Sequence, residues 1–297
     1  MGQRARSLDE FAECMSRFVT EEGIGYAHAF RPRPSDVIIA TYPKAGTTWM
    51  QQIVHGLRTR GDMAFDEISG VTPWIELAFD LGIDLSAEHV AEPRAFKSHW
   101  NATQVPDGCR YICVLRDPRD TMVSFYRFMN GWFLEPDAVP IDPFVYFIVN
   151  REHPGGNYWE HLLSWWRRRD EEDVLMVTFE DLKHDLERQV RRVAGFLELD
   201  SDERTIRIAT QHAHFDFMKA HESQFDDHLT ALGRNAACGL PPDARSTKVR
   251  SGKVGSHVGL LSPETTKLLE ERWREVVEAE TGLPDYPSLR RELTRPR

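Results

Sequence analysis

Cysteine is scarce in this chain: Cys14, Cys109, Cys113 and Cys238 are the four in 297 residues. Four scattered thiols exclude a disulfide-stapled framework. Cys109 and Cys113 flank an apolar run without partners at zinc-type spacing, so reduced, inert thiols and no metal site are expected. Long apolar runs are missing too. No stretch approaches the ~18 residues of a membrane span, and the Arg-bearing N-terminus lacks the apolar centre of a secretory leader, which together predict a cytoplasmic protein. There is no excess of positive charge. Lys plus Arg number 37 against 47 Asp plus Glu, a net charge of -10, which argues against nucleic acid or an anionic membrane surface as a partner. Any anionic ligand must therefore meet a local basic pocket. Linkers, internal repeats and low-complexity tracts are also absent, so residues 1–297 are read as one domain.

What the chain does contain is an alternation of apolar runs and helical stripes. Leu8, Phe11, Met15, Phe18 and Val19 recur at helical spacing, and Pro32 and Pro34 close that segment. Asp36 to Thr41 follows as a near-continuous apolar strand, suited to a parallel sheet covered on both faces. A tight loop leads into a helix over 47–57 with Trp49, Met50, Ile53, Val54 and Leu57 as its apolar content. The same layout returns at Tyr111–Leu115, then a polar turn, then a helix carrying Met122, Val123, Phe125, Tyr126 and Phe128. A third unit has a strand over Val174–Phe179 and a helix with Leu182, Leu186, Val190, Val193 and Leu197 on one face. This predicts an α/β fold with a central parallel sheet flanked by helices. From 221 to 248 the periodicity lapses into a polar stretch, the candidate for a mobile lid. Ser262 and Pro263 mark the N-cap and first position of a late helix.

Two strand ends carry candidate anion-binding chemistry. Tyr42-Pro43-Lys44-Ala45-Gly46-Thr47-Thr48-Trp49 joins a buried strand to a helix, where free backbone amides and the helix dipole favour a phosphate. Lys44 adds a mobile positive charge, and Thr47 and Thr48 add hydroxyls. The loop lacks the Gly-x4-Gly-Lys order of ordinary ATP and GTP hydrolases. Arg116-Asp-Pro-Arg-Asp-Thr-Met-Val-Ser124 follows the second strand and places a guanidinium at its carboxyl end, where open α/β sheets bind ligands. A later basic loop, Val249-Arg250-Ser251-Gly252-Lys253-Val254-Gly255, repeats the chemistry. Between the first two elements lies Phe96-Lys97-Ser98-His99. A neutral imidazole at His99 is suited to accept a hydroxyl proton near pH 7.

These elements, in this order, resemble the cytosolic sulfotransferase family. The Tyr42–Trp49 segment is similar to its 5'-phosphosulfate loop, nearly letter for letter. Arg116 and Ser124 match its 3'-phosphate motif, and Arg250 and Gly252, with Ser251 between them, match its late Arg-x-Gly-x-x-Gly segment. The resemblance implies 3'-phosphoadenosine-5'-phosphosulfate (PAPS) as donor, PAP as product and no metal. It implies Lys44 at the bridging oxygen, Ala45, Gly46, Thr47 and Thr48 around the 5'-phosphate, and Trp49, Phe179 and Phe215 at the adenine. His99 is then the catalytic base, with Lys44 and Lys97 assisting. The resemblance spans about 30–280.

The departures are specific. Ala213 stands where the family has an adenine-facing threonine, and Phe179 where a tyrosine is usual. Ser256-His257 replaces an Asp-Trp pair, and Val258–Ser262 does not match the family's dimer motif. The acceptor is expected to be a small molecule carrying a hydroxyl. Trp74, Phe79, Trp100, Phe128 and Trp132 are the candidates to line an apolar acceptor pocket, which favours a hydrophobic alcohol, phenol or lipid. Two other readings share the phosphate loop: a P-loop-like nucleotide kinase and a non-catalytic nucleotide-binding protein. The kinase requires Mg²⁺ and no 3'-phosphate pocket.

Overall fold

The computed structural model describes residues 2–151 and 155–295. Four short strands form one parallel sheet in the order β2-β1-β3-β4: β1 Val37–Ala40, β2 Ala95–Ser98, β3 Arg110–Leu115 and β4 Val174–Thr178. All four residues of β1 are inaccessible to solvent. Alternation divides them between two cores. Ile38 and Ala40 face the larger one, with Phe96, Tyr111, Cys113 and the aromatic helices, while Val37 and Ile39 face Met50, Ile53, Val54 and Val190. The sheet is therefore covered by helices on both sides, as the apolar runs predict. The four cysteines are buried and free.

The amino ends of β1 and β2 are tied together by charge. Arg94 reaches both oxygens of Asp36, Nε to Oδ1 at 3.0 Å and Nη2 to Oδ2 at 2.6 Å, and both side chains are almost wholly buried. The fork sits next to the Val37–Ala95 register pair, leaving the opposite ends of the strands free for other work.

Several boundaries differ from the sequence reading, each for a local reason. The N-terminal stripe is not one helix. Leu8–Ser16 ends before Phe18, and Thr20 caps a second helix, Glu21–Ala29, whose two glycines masked its periodicity. Asp36, Thr41 and Phe179 fall outside their strands. Thr178 closes β4 because its hydroxyl accepts the Asp181 amide and starts a helix at Phe179. That helix stops at His184, where Asp185 caps a second one, Leu186–Phe196.

The stretch 221–248 holds more structure than its polarity suggests. A 3-10 turn over Glu222–Phe225 and a helix over His228–Arg234 pack Phe225 and Ala231 inward, and Cys238 and Leu240 beyond the helix are buried too. Arg234 anchors the helix by donating to the Phe18 and Arg17 carbonyls at 2.9 and 2.6 Å. Nine residues of the stretch are buried, but four of them are polar or charged and the five apolar ones show no period, which is why it reads as a loop. Ser262 and Pro263 do open the helix Pro263–Arg272, and a further helix, Tyr286–Leu293, closes the described chain.

Candidate active site

Every strand delivers its carboxyl end to the same edge of the sheet. β1 runs into Thr41–Gly46, β2 into His99, β3 into Arg116 and β4 into Phe179. The chain crosses to β2 on one side of β1 and to β3 on the other, the arrangement that opens a ligand crevice in parallel sheets. A cavity of about 560 Å³ lies there, within the usual range for small-molecule sites.

The first wall is the loop after β1. Lys44 and Gly46 have φ of 69° and 127°, and a Cβ on Gly46 would sit 3.2 Å from Val114 and 3.3 Å from Phe179. Glycine alone fits. Because Gly46 supplies no capping side chain, the helix Thr47–Arg58 presents uncapped first-turn amides and its positive end at a wall formed by Gly46, Thr47, Thr48 and Trp49. The Thr47 hydroxyl is bonded to that of Thr41. Ala45 does not line the cavity. It is buried, with its amide donated to Tyr42 O inside the turn.

Two ammonium groups rest on aromatic faces. Lys44 Nζ lies 3.7 Å from the centroid of Phe128 and Lys97 Nζ 3.7 Å from that of Trp74. Neither forms an ion pair among the described residues, so the rings are their nearest favourable contacts. Loss of water, and then the charge of Lys248, push Lys97 down to about 8 and Lys44 well below the ordinary lysine range. A bound anion would relieve both.

His99 is held from three sides. Its backbone N–H donates to Glu76 Oε1 at 2.6 Å, its ring lies edge-on to Trp74, and Nδ1 is 2.7 Å from the carbonyl oxygen of Thr41. A carbonyl only accepts, so the proton resides on Nδ1, and Nε2 carries the lone pair. Burial first, and Lys97 second, hold the imidazole well below its usual pKa.

The second half of the cavity is built around Arg116. Its guanidinium stacks 4.2 Å from the Phe179 ring and donates to Lys44 O and Lys253 O at 3.3 and 3.1 Å, leaving buried Nε without a partner among the described residues. Arg250 is depressed by partial burial and by two guanidinium neighbours, Arg127 and Arg116. Arg116, Arg250 and Ser124 line this half of the cavity together. Trp49 packs edge-on to Phe179 and donates its indole N–H to Ala213 O at 2.7 Å, so the position that lacks a hydroxyl contributes its carbonyl instead. Phe215 lies against Gly252, where a Cβ would come within 2.9 Å of its ring. Asp120 fixes this last loop. Its wholly buried carboxylate accepts from Gly255 N, His257 N, His257 Nδ1 and Ser256 Oγ, at 2.7–3.2 Å. Burial alone would raise Asp120, but the bonds from His257 and Gly255 outweigh it and hold the carboxyl below its ordinary range. Ser256-His257 therefore latches the loop to the start of the helix Pro118–Trp132.

Of the expected acceptor-side aromatics, Trp74, Trp100, Phe128 and Trp132 line the cavity. Phe79 does not. It is 51% exposed and packs on Tyr26 at the surface. The sequence reading missed Phe11 and Met15 on the N-terminal helix and Phe18 just after it, which form much of the apolar wall. It also missed Glu76, Asp227 and Lys248, which line the cavity as well. A helical stripe such as Phe11-Met15-Phe18 announces burial without saying what it faces.

The fold and site define a parallel α/β protein with a crevice that is cationic at one end and apolar at the other. Comparison with known proteins narrows this. Residues 34–281 match the family described as the sulfotransferase domain. Human sulfotransferase 1C2 is 30% identical over 91% of this chain and 93% of its own length, and dog sulfotransferase 1B1 is 32% identical over 64% and 68%. The chain belongs to the sulfotransferase family and is a PAPS-dependent sulfotransferase. Among solved structures, mouse SULT7A1 complexed with PAP shares the fold at a TM-score of 0.69 and 21% identity, covering 93% of this chain and 94% of that one. A retinol dehydratase complexed with androsterone and PAP aligns at 0.71 and 21%, covering 95% and 97%. Among the described residues no helix is long and apolar enough to cross a membrane, and no cluster of metal-binding side chains occurs.

The state of His99 can be checked directly. Because water exclusion and Lys97 disfavour the imidazolium, the ring should remain neutral as pH falls from 8 to 5.5, while exposed histidines titrate near ~6.5. Ring carbon-proton shifts by NMR, assigned with His99→Gln, should show no His99 midpoint in that window. A midpoint near 6.5 would contradict the described burial.

Proposed function

We propose that this chain transfers the sulfuryl group of PAPS to the hydroxyl of a small, mainly apolar acceptor, with His99 as general base. The observation that carries the reading is the free lone pair on Nε2 of a neutral imidazole, fixed through Nδ1 to Thr41, in one cavity with two ammoniums that rest on aromatic faces. The acceptor oxygen bonds to sulfur as the bond from sulfur to the bridging oxygen breaks. The hydroxyl proton passes to Nε2, and Lys44 and Lys97 offset the negative charge that accumulates on the leaving 5'-phosphate and the sulfuryl oxygens. No further co-reactant is needed.

In this reading Gly46, Thr47 and Thr48 hold the 5'-phosphate at the helix terminus, with Ala45 shaping the turn from behind. Arg116, Ser124, Arg250, Ser251 and Gly252 hold the 3'-phosphate, and Trp49, Phe179 and Phe215 border the adenine. Trp74, Trp100, Phe128 and Trp132, joined by Phe11, Met15 and Phe18, contact the acceptor. Such a wall selects for apolar surface. The segment 221–248 serves as a lid that tightens when Arg250 and Gly252 engage the nucleotide.

Turnover of PAPS across a panel of phenols, alcohols and sterols tests the reaction. His99→Ala should lower kcat by ~10²–10⁴ and leave PAP affinity within a few-fold. Lys44→Ala should reduce both turnover and PAPS affinity. A His99→Ala enzyme of undiminished rate would move the base elsewhere. Hydrogen exchange tests the lid: amides of 221–248 should gain protection when PAP is added. Identical exchange with and without PAP would show that the segment is a fixed wall.

A further inference from the structure

One buried ion pair in the cavity wall has no part in the reaction as described. Lys248 Nζ pairs with Asp227 Oδ1, and the two side chains are 8% and 4% exposed. Both line the cavity that also holds Lys44, Lys97 and His99. Asp227 immediately precedes the helix His228–Arg234, where an aspartate ordinarily caps the free amides, yet its side chain makes no capping bond among the described residues. Other carboxylates take that task. His228 N donates to Asp226 Oδ1 at 3.1 Å and Leu229 N to Glu67 Oε2 at 3.3 Å. Asp227 also holds φ at 61°, a left-handed backbone uncommon outside glycine.

Strain, a surrendered cap and the desolvation of two charges all act against stability. What they achieve is the placement of one more ammonium among the reacting groups. Among neighbouring charges, Lys248 has the largest effect on both Lys44 and Lys97, and it acts on His99 as well. Its one ion-pair partner among the described residues is Asp227, and an ammonium has three N–H donors to give.

We propose that Lys248 is a further catalytic residue, an ammonium that donates to the sulfuryl oxygens during transfer, and that Asp227 is the positioning residue that holds it there. This rests on the PAPS reading above. The bonds made and broken are those already described. Lys248 keeps its proton and contributes hydrogen bonds and charge to oxygens whose bonding changes as sulfur passes between the two oxygens. Because Lys248 lies two residues before Arg250, seating of the same segment brings one cation to the sulfuryl group and another to the 3'-phosphate. The device is absent from the four motifs on which the family likeness was read.

The test compares PAPS and PAP on the full chain by calorimetry without acceptor, and measures kcat with whichever panel acceptor the wild type sulfates. Lys248→Met alone strands a buried carboxylate, so Lys248→Met/Asp227→Asn is the principal variant, with Lys248→Arg as the conservative one. The double variant should bind PAP within a few-fold of wild type and PAPS about tenfold more weakly. Its kcat should fall on the order of a hundredfold. Lys248→Arg should retain much of the PAPS preference, and Asp227→Asn should add no loss once Lys248 is gone. A merely structural pair would lower PAP and PAPS affinity by one common factor and leave kcat unchanged, and that result overturns the proposal. If the wild type binds neither nucleotide, the PAPS reading itself has failed. If it sulfates an acceptor and the double variant does so equally fast, only the role of Lys248 has.

Discussion

The constraint on which this structure turns is the gathering of positive charge out of water in a chain whose net charge is -10. Lys44, Lys97, Lys248, Arg116 and Arg250 all border one cavity. Each is depressed by burial or held by a partner, and neighbouring cations add to the depression: Lys248 acts on Lys44 and Lys97, and Arg127 and Arg116 act on Arg250. Such an assembly is stable only if something else compensates. Here the compensation is aromatic and local. Rings of Phe128, Trp74 and Phe179 lie under Lys44, Lys97 and Arg116, and one carboxylate, Asp227, neutralises Lys248. An anion that enters meets donors already stripped of water, where each contact is worth more than at the surface.

The parallel sheet is what makes the gathering possible. Four strands pointing the same way deliver four loops to one edge, and the Asp36–Arg94 fork fixes the opposite ends of β1 and β2. The helices that cover the two faces then play different parts. Those on the side of Val37 and Ile39 complete a plain core, while those on the side of Ile38 and Ala40 carry the aromatic residues whose outer layer lines the cavity. Asp120 ties the start of the helix Pro118–Trp132 to a loop 135 residues further on.

Much of this was legible in the residues because the informative elements are local. A buried strand, a glycine that must turn with positive φ, and a helix that follows at once can be read at 37–58 without knowledge of the rest, and the same holds at Arg116–Ser124. The family was legible for the same reason. What could not be read depends on residues distant in sequence. Nothing in Asp120 announces His257, and nothing in Phe11 announces the far side of a cavity formed by Trp132. Lys248 and Asp227 sit in a polar run whose helix is hidden because its buried residues, Thr230, Ala231 and Arg234, make no apolar stripe. Phe79 was misjudged from composition alone: its neighbours Ile75 and Leu77 are buried, but the 3-10 turn points Phe79 outward.

The central claim, that the cavity is built for a nucleotide with phosphate at both ends, is tested most directly by calorimetric titration of PAP against ADP, repeated on Arg116→Ala. Charge-assisted hydrogen bonds contribute roughly 1.5–3 kcal/mol each, so losing two of them should cost ADP on the order of a hundredfold in affinity relative to PAP. Arg116→Ala should erase most of PAP's advantage and barely alter ADP. Equal affinity of the wild-type protein for the two nucleotides would contradict the account.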